Sequence, residues 1–225
     1  MNIHELPVLQ NANYASQALY DLDYEKDKVA LIQAVLLMSY WFNDTHDRAD
    51  SWHWVGVAIS LAQTIGLHRS PSSSNVPTSQ QRLWKRVWWC CFHRDRWIAL
   101  GMGRPTRINN ADCNVSILTV EDLVDTSPPS NLSEASKVVV ASCDSYATFF
   151  VEAVKLSSHL GNILTLQYGA DRLQHSEGRI QHCDDALSSW YNNLGPDVKV
   201  DLGSPITREL PVRSLHQHML QILFQ

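Results

Sequence analysis

Between Leu83 and Pro105 the chain reads LWKRVWWCCFHRDRWIALGMGRP, which puts four of its eight tryptophans and two adjacent cysteines into one run. At helical spacing Trp84, Trp88, Cys91 and Asp95 form one ridge, and Trp89, Phe92 and Arg96 form the ridge beside it. An aromatic face this broad must be covered by other elements, because apolar area left in water is unfavourable in proportion to its size. Arg82, Lys85 and Arg86 fall along its margins, where their methylene stems lie on apolar surface and their charges reach water. Asp95 sits at the edge of the buried ridge and needs donors there, since an unpaired buried carboxylate is costly. Arg104, just past the glycine turn, or the backbone N–H groups of GMGRP can supply them.

The same three-and-four spacing recurs along the chain, with no alternating stretch that would read as a strand. It predicts a short helix over Tyr14 to Leu22, and a longer one over Lys26 to Phe42, apolar nearly all round and deeply buried. The next helix is predicted to start with Asp44 or Thr45 as cap and run to Ile65, with Val55, Ile59, Ala62 and Ile65 as its stripe and Gly66 as left-handed terminator. A Ser/Pro-rich loop, SPSSSNVPTSQ, then leads into Thr78 and Gln81, a capping-box pattern that opens the tryptophan helix, which runs to about Leu100. From Thr106 to Ser130 the periodicity fails and the residues read as turns over a surface. Beyond Asn131 a long helix carries Val138, Ala141, Tyr146, Phe149, Ala153, Leu160 and Leu164, and another spans Arg172 to Leu194. The fold class is therefore all-α, an irregular bundle of about six to eight helices without significant sheet. We expect one helical domain over residues 1–225, with its core motif at 45–118, a loop at 119–131 and C-terminal helices at 132–225. LHQHMLQILFQ at the end reads as a helix still under way and the first ten residues hold no element start, so the chain is expected to be incomplete at both ends.

Charge and cysteine usage restrict the function classes. The net charge of −5 disfavours binding to a phosphate backbone over the whole molecule. Seven basic residues against the single acid Asp95 give Arg82 to Arg107 a local charge of +6, leaving −11 elsewhere, so any nucleic-acid surface is local. Basic residues interleaved with aromatics can stack on bases, but one continuous aromatic face is better explained as core. The longest nearly apolar run, Val29 to Phe42, is too short to span a bilayer, and no secretory signal follows Met1. Cys90, Cys91, Cys113, Cys143 and Cys183 are scattered without CxxC spacing and read as reduced, buried thiols. No metal or other cofactor is expected in this chain.

Catalytic candidates are sparse. Cys91, His93 and Asp95 are two apart, so on a helix they point in opposite directions and do not converge. His46, Asp50 and His53 share a helical face with Asp44 and Asp47 close by, which could hold a divalent metal given a further ligand. On that pattern the alternative to a binding module is a helical metal-dependent phosphohydrolase using His46, Asp47 and Asp50; the bland reading is a solvated first turn. His216 and His218 diverge on a helix, and His175 and His182, beside Asp184 and Asp185, are expected to be exposed. No GxSxG, HExxH or phosphate-cradling glycine loop occurs.

The stretch WHWVGVAISLAQTIGLHRS, a polar loop, and QRLWKRVWWCCFHRDRWIALGMGRPTRINNADCNV together resemble the middle homology region of fungal binuclear zinc-cluster transcription factors, in their cutinase-factor-like branch. The resemblance rests on GLHR at Gly66 to Arg69, Arg86 with Trp88 and Trp89, Asp95 with Arg96, Ala99, Gly103, Arg104 and Pro105, Ile108 and Asp112. It departs from the family at VAIS, Val57 to Ser60, which is uncharged where the family often carries arginine. The resemblance implies a nuclear, all-helical regulatory domain in which Gly66, Arg86, Trp88, Trp89, Asp95, Arg96, Gly103, Arg104, Pro105 and Asp112 are architectural. DNA contact would come only through a six-cysteine, two-zinc module N-terminal to this region, which no cysteine here matches. Partners on this reading are co-regulators, the rest of the full-length chain, a second copy in a homodimer, or a small-molecule effector, and no membrane.

Overall fold

A computed structural model describes residues 20, 23, 25–40, 50–70, 76–124, 134–169, 177–195 and 198–199, with the side chains of the long helix from residue 146 onward. Six α-helices and one 3-10 turn occur among them, and no strand. They belong to two compact units, Met1–Ser116 and Ile117–Gln225.

In the first unit, α1 (Lys28–Met38), α2 (Ser51–Thr64) and α3 (Thr78–Met102) pack on one another. Asp27 opens α1, its Oδ1 accepting the Val29 N–H at 2.9 Å. Ile32, Val35, Leu36 and Met38 are buried, whereas Gln33, Ala34 and Leu37 are exposed, so α1 buries one side rather than its whole circumference. The cap of α2 is Asp50, whose Oδ1 accepts the His53 N–H at 2.8 Å, and not Asp44 or Thr45. Val55, Ile59 and Ala62 are buried together with Trp54 and Ala58. Gly66 then adopts φ +79°, and the bonds Gly66 N–H to Gln63 O and Leu67 N–H to Ala62 O close a Schellman turn.

The tryptophan helix begins one residue earlier in role than its sequence suggests. Pro77 is the cap, without a side-chain bond, and Thr78 is already helical. Gln81 reaches back to the Val76 carbonyl at 2.7 Å rather than to a capping threonine. Val87, Trp88, Trp89, Cys91, Phe92, Asp95, Arg96, Ile98 and Ala99 are buried along α3. Gly103 at φ 62° ends it through a second Schellman turn, Gly103 N–H to Leu100 O and Arg104 N–H to Ala99 O.

The segment after Pro105 is more than surface turns. Ile108 and Leu118 are almost fully buried, and Asn109 caps a 3-10 turn at Asn110–Asp112. In the second unit, the expected loop at 119–131 opens instead with a helical turn, α4 (Val120–Leu123). Thr119 and Asp122 form its capping box, a Thr-x-x-Asp pattern legible in the sequence but shorter than any periodicity. α4 and α6 (Glu177–Asn192) both pack on α5 (Glu134–Tyr168). Ala153, Leu160 and Leu164 are buried on α5, Phe149 is half-buried, and Tyr146 points to solvent rather than joining the stripe. Trp190 of α6 donates its indole N–H to Glu152 of α5 at 2.9 Å, and Lys155 holds the other oxygen of that carboxylate at 2.7 Å. The helix predicted at Tyr14 to Leu22, apart from the helical residue Tyr20, and the one over the last eleven residues lie outside the described residues, as do the side chains of Val138 and Ala141.

Candidate functional site

The chemistry of the tryptophan helix is concentrated in two neighbours. Asp95 is 0% and Arg96 1% exposed, and Arg96 Nη1 donates to Asp95 Oδ2. Successive positions on a helix do not face each other, so the pair closes only because the chain beyond Gly103 folds back over α3. That return segment brings the Arg107 N–H to 3.0 Å from Asp95 Oδ1 and the Ile108 N–H to 3.0 Å from Oδ2. Arg96 Nη2 donates in turn to the Ile108 carbonyl at 3.0 Å and to Asn110 Oδ1 at 2.8 Å, and its guanidinium stacks over Phe92 at 3.9 Å. Burial depresses the Arg96 pKa, and Asp95 opposes that shift. Two buried charges thus neutralise one another and are further bonded by the return segment, the condition under which a buried ion pair is tolerated, although Arg96 Nε is buried without a hydrogen-bond partner.

Arg104, the partner expected from the sequence, goes elsewhere. Its guanidinium lies 3.8 Å from Asp50 and 5.3 Å from the Trp52 ring centroid, near the start of α2. Arg107 stacks on Trp52 at 4.2 Å and donates to the Trp52 carbonyl at 3.3 Å. A methyl group at Gly56 would stand 2.8 Å from the Arg107 guanidinium, so the glycine makes room for this crossing. The same residue therefore ties α2 with its side chain and Asp95 with its backbone. Beside it, Tyr20, His53, Val57 and Ser60 help line an open groove of about 370 Å³.

Trp88 and Trp89 are buried, and the Trp89 indole N–H donates to the Ser116 carbonyl at 3.0 Å. Arg94 clamps the end of α1, with Nε 3.1 Å from Ser39 Oγ and its plane 3.8 Å from the Tyr40 centroid. Arg86 is half-buried on α3, while Pro105 and Asp112 lie at the surface. Sequence reasoning missed Asn114. Its N–H donates to the His68 carbonyl at 3.2 Å, its Oδ1 accepts the Ser70 N–H at 2.7 Å, and its carbonyl accepts Ser70 Oγ–H at 2.9 Å. Nothing in a lone Asn between Cys and Val announces a partner 44 positions away.

Groups suited to nucleophilic or metal chemistry are placed unfavourably. Burial raises the Cys90 thiol to about 11 and pushes Cys91 up further still, with the Asp95 charge adding to the effect. His93 accepts the Trp97 indole N–H at 3.0 Å. Among the described residues no three His, Cys, Asp or Glu side chains gather where they could hold a metal ion. Asp50 serves as a helix cap, His46 and Asp47 lie outside the described residues, and His182 is exposed. No described helix is long and apolar enough to cross a membrane.

Comparison with known proteins matches the chain to a family. The fungal specific transcription factor domain matches residues 5–192. The chain is 52% identical over 128 residues to cutinase transcription factor 1 beta of Fusarium vanettenii, covering 57% of this chain and 14% of that protein. With cutinase transcription factor 1 alpha of the same organism the identity is 36% over 182 residues, 79% of this chain and 19% of the relative. The acetamidase regulatory protein of Emericella nidulans is 35% identical over 183 residues, 80% of this chain and 21% of the relative. The chain thus spans about a fifth or less of the length of these curated relatives. No solved structure matches it. The buried Asp95–Arg96 pair and its Gly103 turn accordingly lie in a chain that belongs to the fungal specific transcription factor domain family.

Proposed function

We propose that this chain is a non-catalytic regulatory domain of a nuclear transcription factor, acting through contacts with co-regulators, with the rest of its own full-length chain, or with a small-molecule effector. The observation that carries this reading is the buried Asp95–Arg96 pair, tied to its own return segment. Both Asp95 oxygens and both terminal nitrogens of Arg96 are engaged by each other and by residues 107–110, which supports a structural role for the pair. In this reading Gly66, Arg86, Trp88, Trp89, Arg104, Pro105 and Asp112 hold the framework around that pair. DNA would be read by a zinc-cluster module outside this chain, and the zinc would belong to that module. The relatives' names, two cutinase transcription factors and an acetamidase regulatory protein, support a role in controlling transcription.

Fusing residues 1–225 to a heterologous DNA-binding domain tests the proposal. We expect activation or repression of a reporter, and a fusion that is stably expressed yet inert would count against it. Elemental analysis of the purified chain addresses the phosphohydrolase alternative: stoichiometric metal lost on His46→Ala would favour that alternative.

A further inference from the structure

The Ser/Pro-rich loop begins at Ser70, and Ser70 is the residue through which the GLHR turn is tied to the end of the motif region. Its hydroxyl is exposed at the surface yet has a structural job, donating to the Asn114 carbonyl at 2.9 Å. Two further bonds, Ser70 N–H to Asn114 Oδ1 at 2.7 Å and Asn114 N–H to His68 O at 3.2 Å, make this a three-bond clamp. The clamp joins the end of α2 to the segment whose Ser116 carbonyl holds Trp89. Ser70 follows Arg69 and precedes Pro71 in the sequence, one of three Ser-Pro dipeptides in the chain, with Ser127 and Ser204.

We infer that Ser70 is a phosphorylation site for a proline-directed serine/threonine protein kinase, and that its modification opens the Asn114 clamp. In the transfer, Ser70 Oγ attacks the γ-phosphorus of a nucleoside triphosphate. The Oγ–P bond forms as the bond to the nucleoside diphosphate breaks, and the hydroxyl proton passes to the kinase's carboxylate base. The product is a phosphoester with close to two negative charges and only acceptor oxygens. It has no hydrogen to donate to the Asn114 carbonyl, so an attractive contact at 2.9 Å becomes a repulsive one. Exposure makes the acceptor accessible, and three hydrogen bonds make its state legible to the fold. The switch does not depend on the regulatory reading above, because both the chemistry and the clamp are properties of the chain.

The experiment uses the whole chain with Ser127→Ala and Ser204→Ala, which leaves Ser70 as the single Ser-Pro acceptor. It is incubated with magnesium ATP and a purified proline-directed kinase. Tandem mass spectrometry should place one phosphate on Ser70. Amide hydrogen exchange at Ser70 and Asn114 should then accelerate by about tenfold, while α5 and α6 stay protected. Ser70→Ala should accept no phosphate, and Ser70→Thr should restore both acceptance and the exchange response. Failure to modify Ser70 in the folded chain would overturn the inference, as would a phosphorylated Ser70 whose clamp amides exchange unchanged.

Discussion

Asp95 and Arg96 are adjacent on one helix, both are buried, and each bonds the same residue of the return segment: Asp95 takes the N–H of Ile108 while Arg96 binds its carbonyl. One residue of backbone is thereby held from both sides, which locks residues 107–110 against α3. Removing either partner leaves an uncompensated charge in the interior, and the clearest tests of the fold follow from that.

Asp95→Ala should destabilise the first unit by about 3–5 kcal/mol, since it strands the Arg96 charge and two backbone donors. Replacing both residues together, Asp95→Leu with Arg96→Met, should cost less than Asp95→Ala alone, because no lone charge is then buried. Urea denaturation monitored by tryptophan fluorescence checks both. An Asp95→Ala midpoint equal to that of the parent would remove the pair from the stability argument.

Two glycines two positions apart should respond with opposite sign. Gly103 has φ 62°, so Gly103→Ala forces a side chain into the left-handed region and should cost about 1 kcal/mol. Gly101 lies inside α3 with open space where a methyl would go, so Gly101→Ala should stabilise by up to about 1 kcal/mol. Thermal melts of the two variants decide this.

Cys91 should resist alkylation. Its thiol is buried and its pKa is driven upward by desolvation and by the neighbouring Cys90 and Asp95, so almost no thiolate exists near neutrality. Iodoacetamide at pH 8, followed by peptide mapping, should label Cys91 only after denaturation. Rapid labelling of the native chain would contradict the packing described.

The second unit should weaken in mild acid. Burial lowers His159 below its ordinary 6.5, so the unfolded chain takes up this proton at higher pH than the folded one. The stability linked to it is complete above pH 6.5 and is lost as the pH falls below that value. His159→Gln should flatten this part of the profile, as read by urea midpoints measured over a pH series.

Helix existence along the chain was legible because periodicity is a local property: the stripes Val55, Ile59, Ala62 on α2 and Trp88, Cys91, Asp95 on α3 are buried as spaced. Boundaries were less legible. Asp44, Thr45 and Asp50 are all cap-forming residue types, and α2 takes Asp50. The turn at Val120–Leu123 escaped because four residues are too few to display a period.

By itself the sequence determined that the chain is helical, that the indole-rich ridge lies inside, and that α3 stops at a glycine able to turn left-handed, since each of these follows from side chains within a few turns of one another. It also determined that Asp95 would need donors. Which donors it found was decided by the tertiary structure: not Arg104, which turns to Asp50, but Arg96 and the backbone of residues 107 and 108. The same holds for Asn114 reaching His68 and Ser70. Hydrogen bonds across long sequence separations depend on where the chain returns, and no local pattern of residues encodes that position.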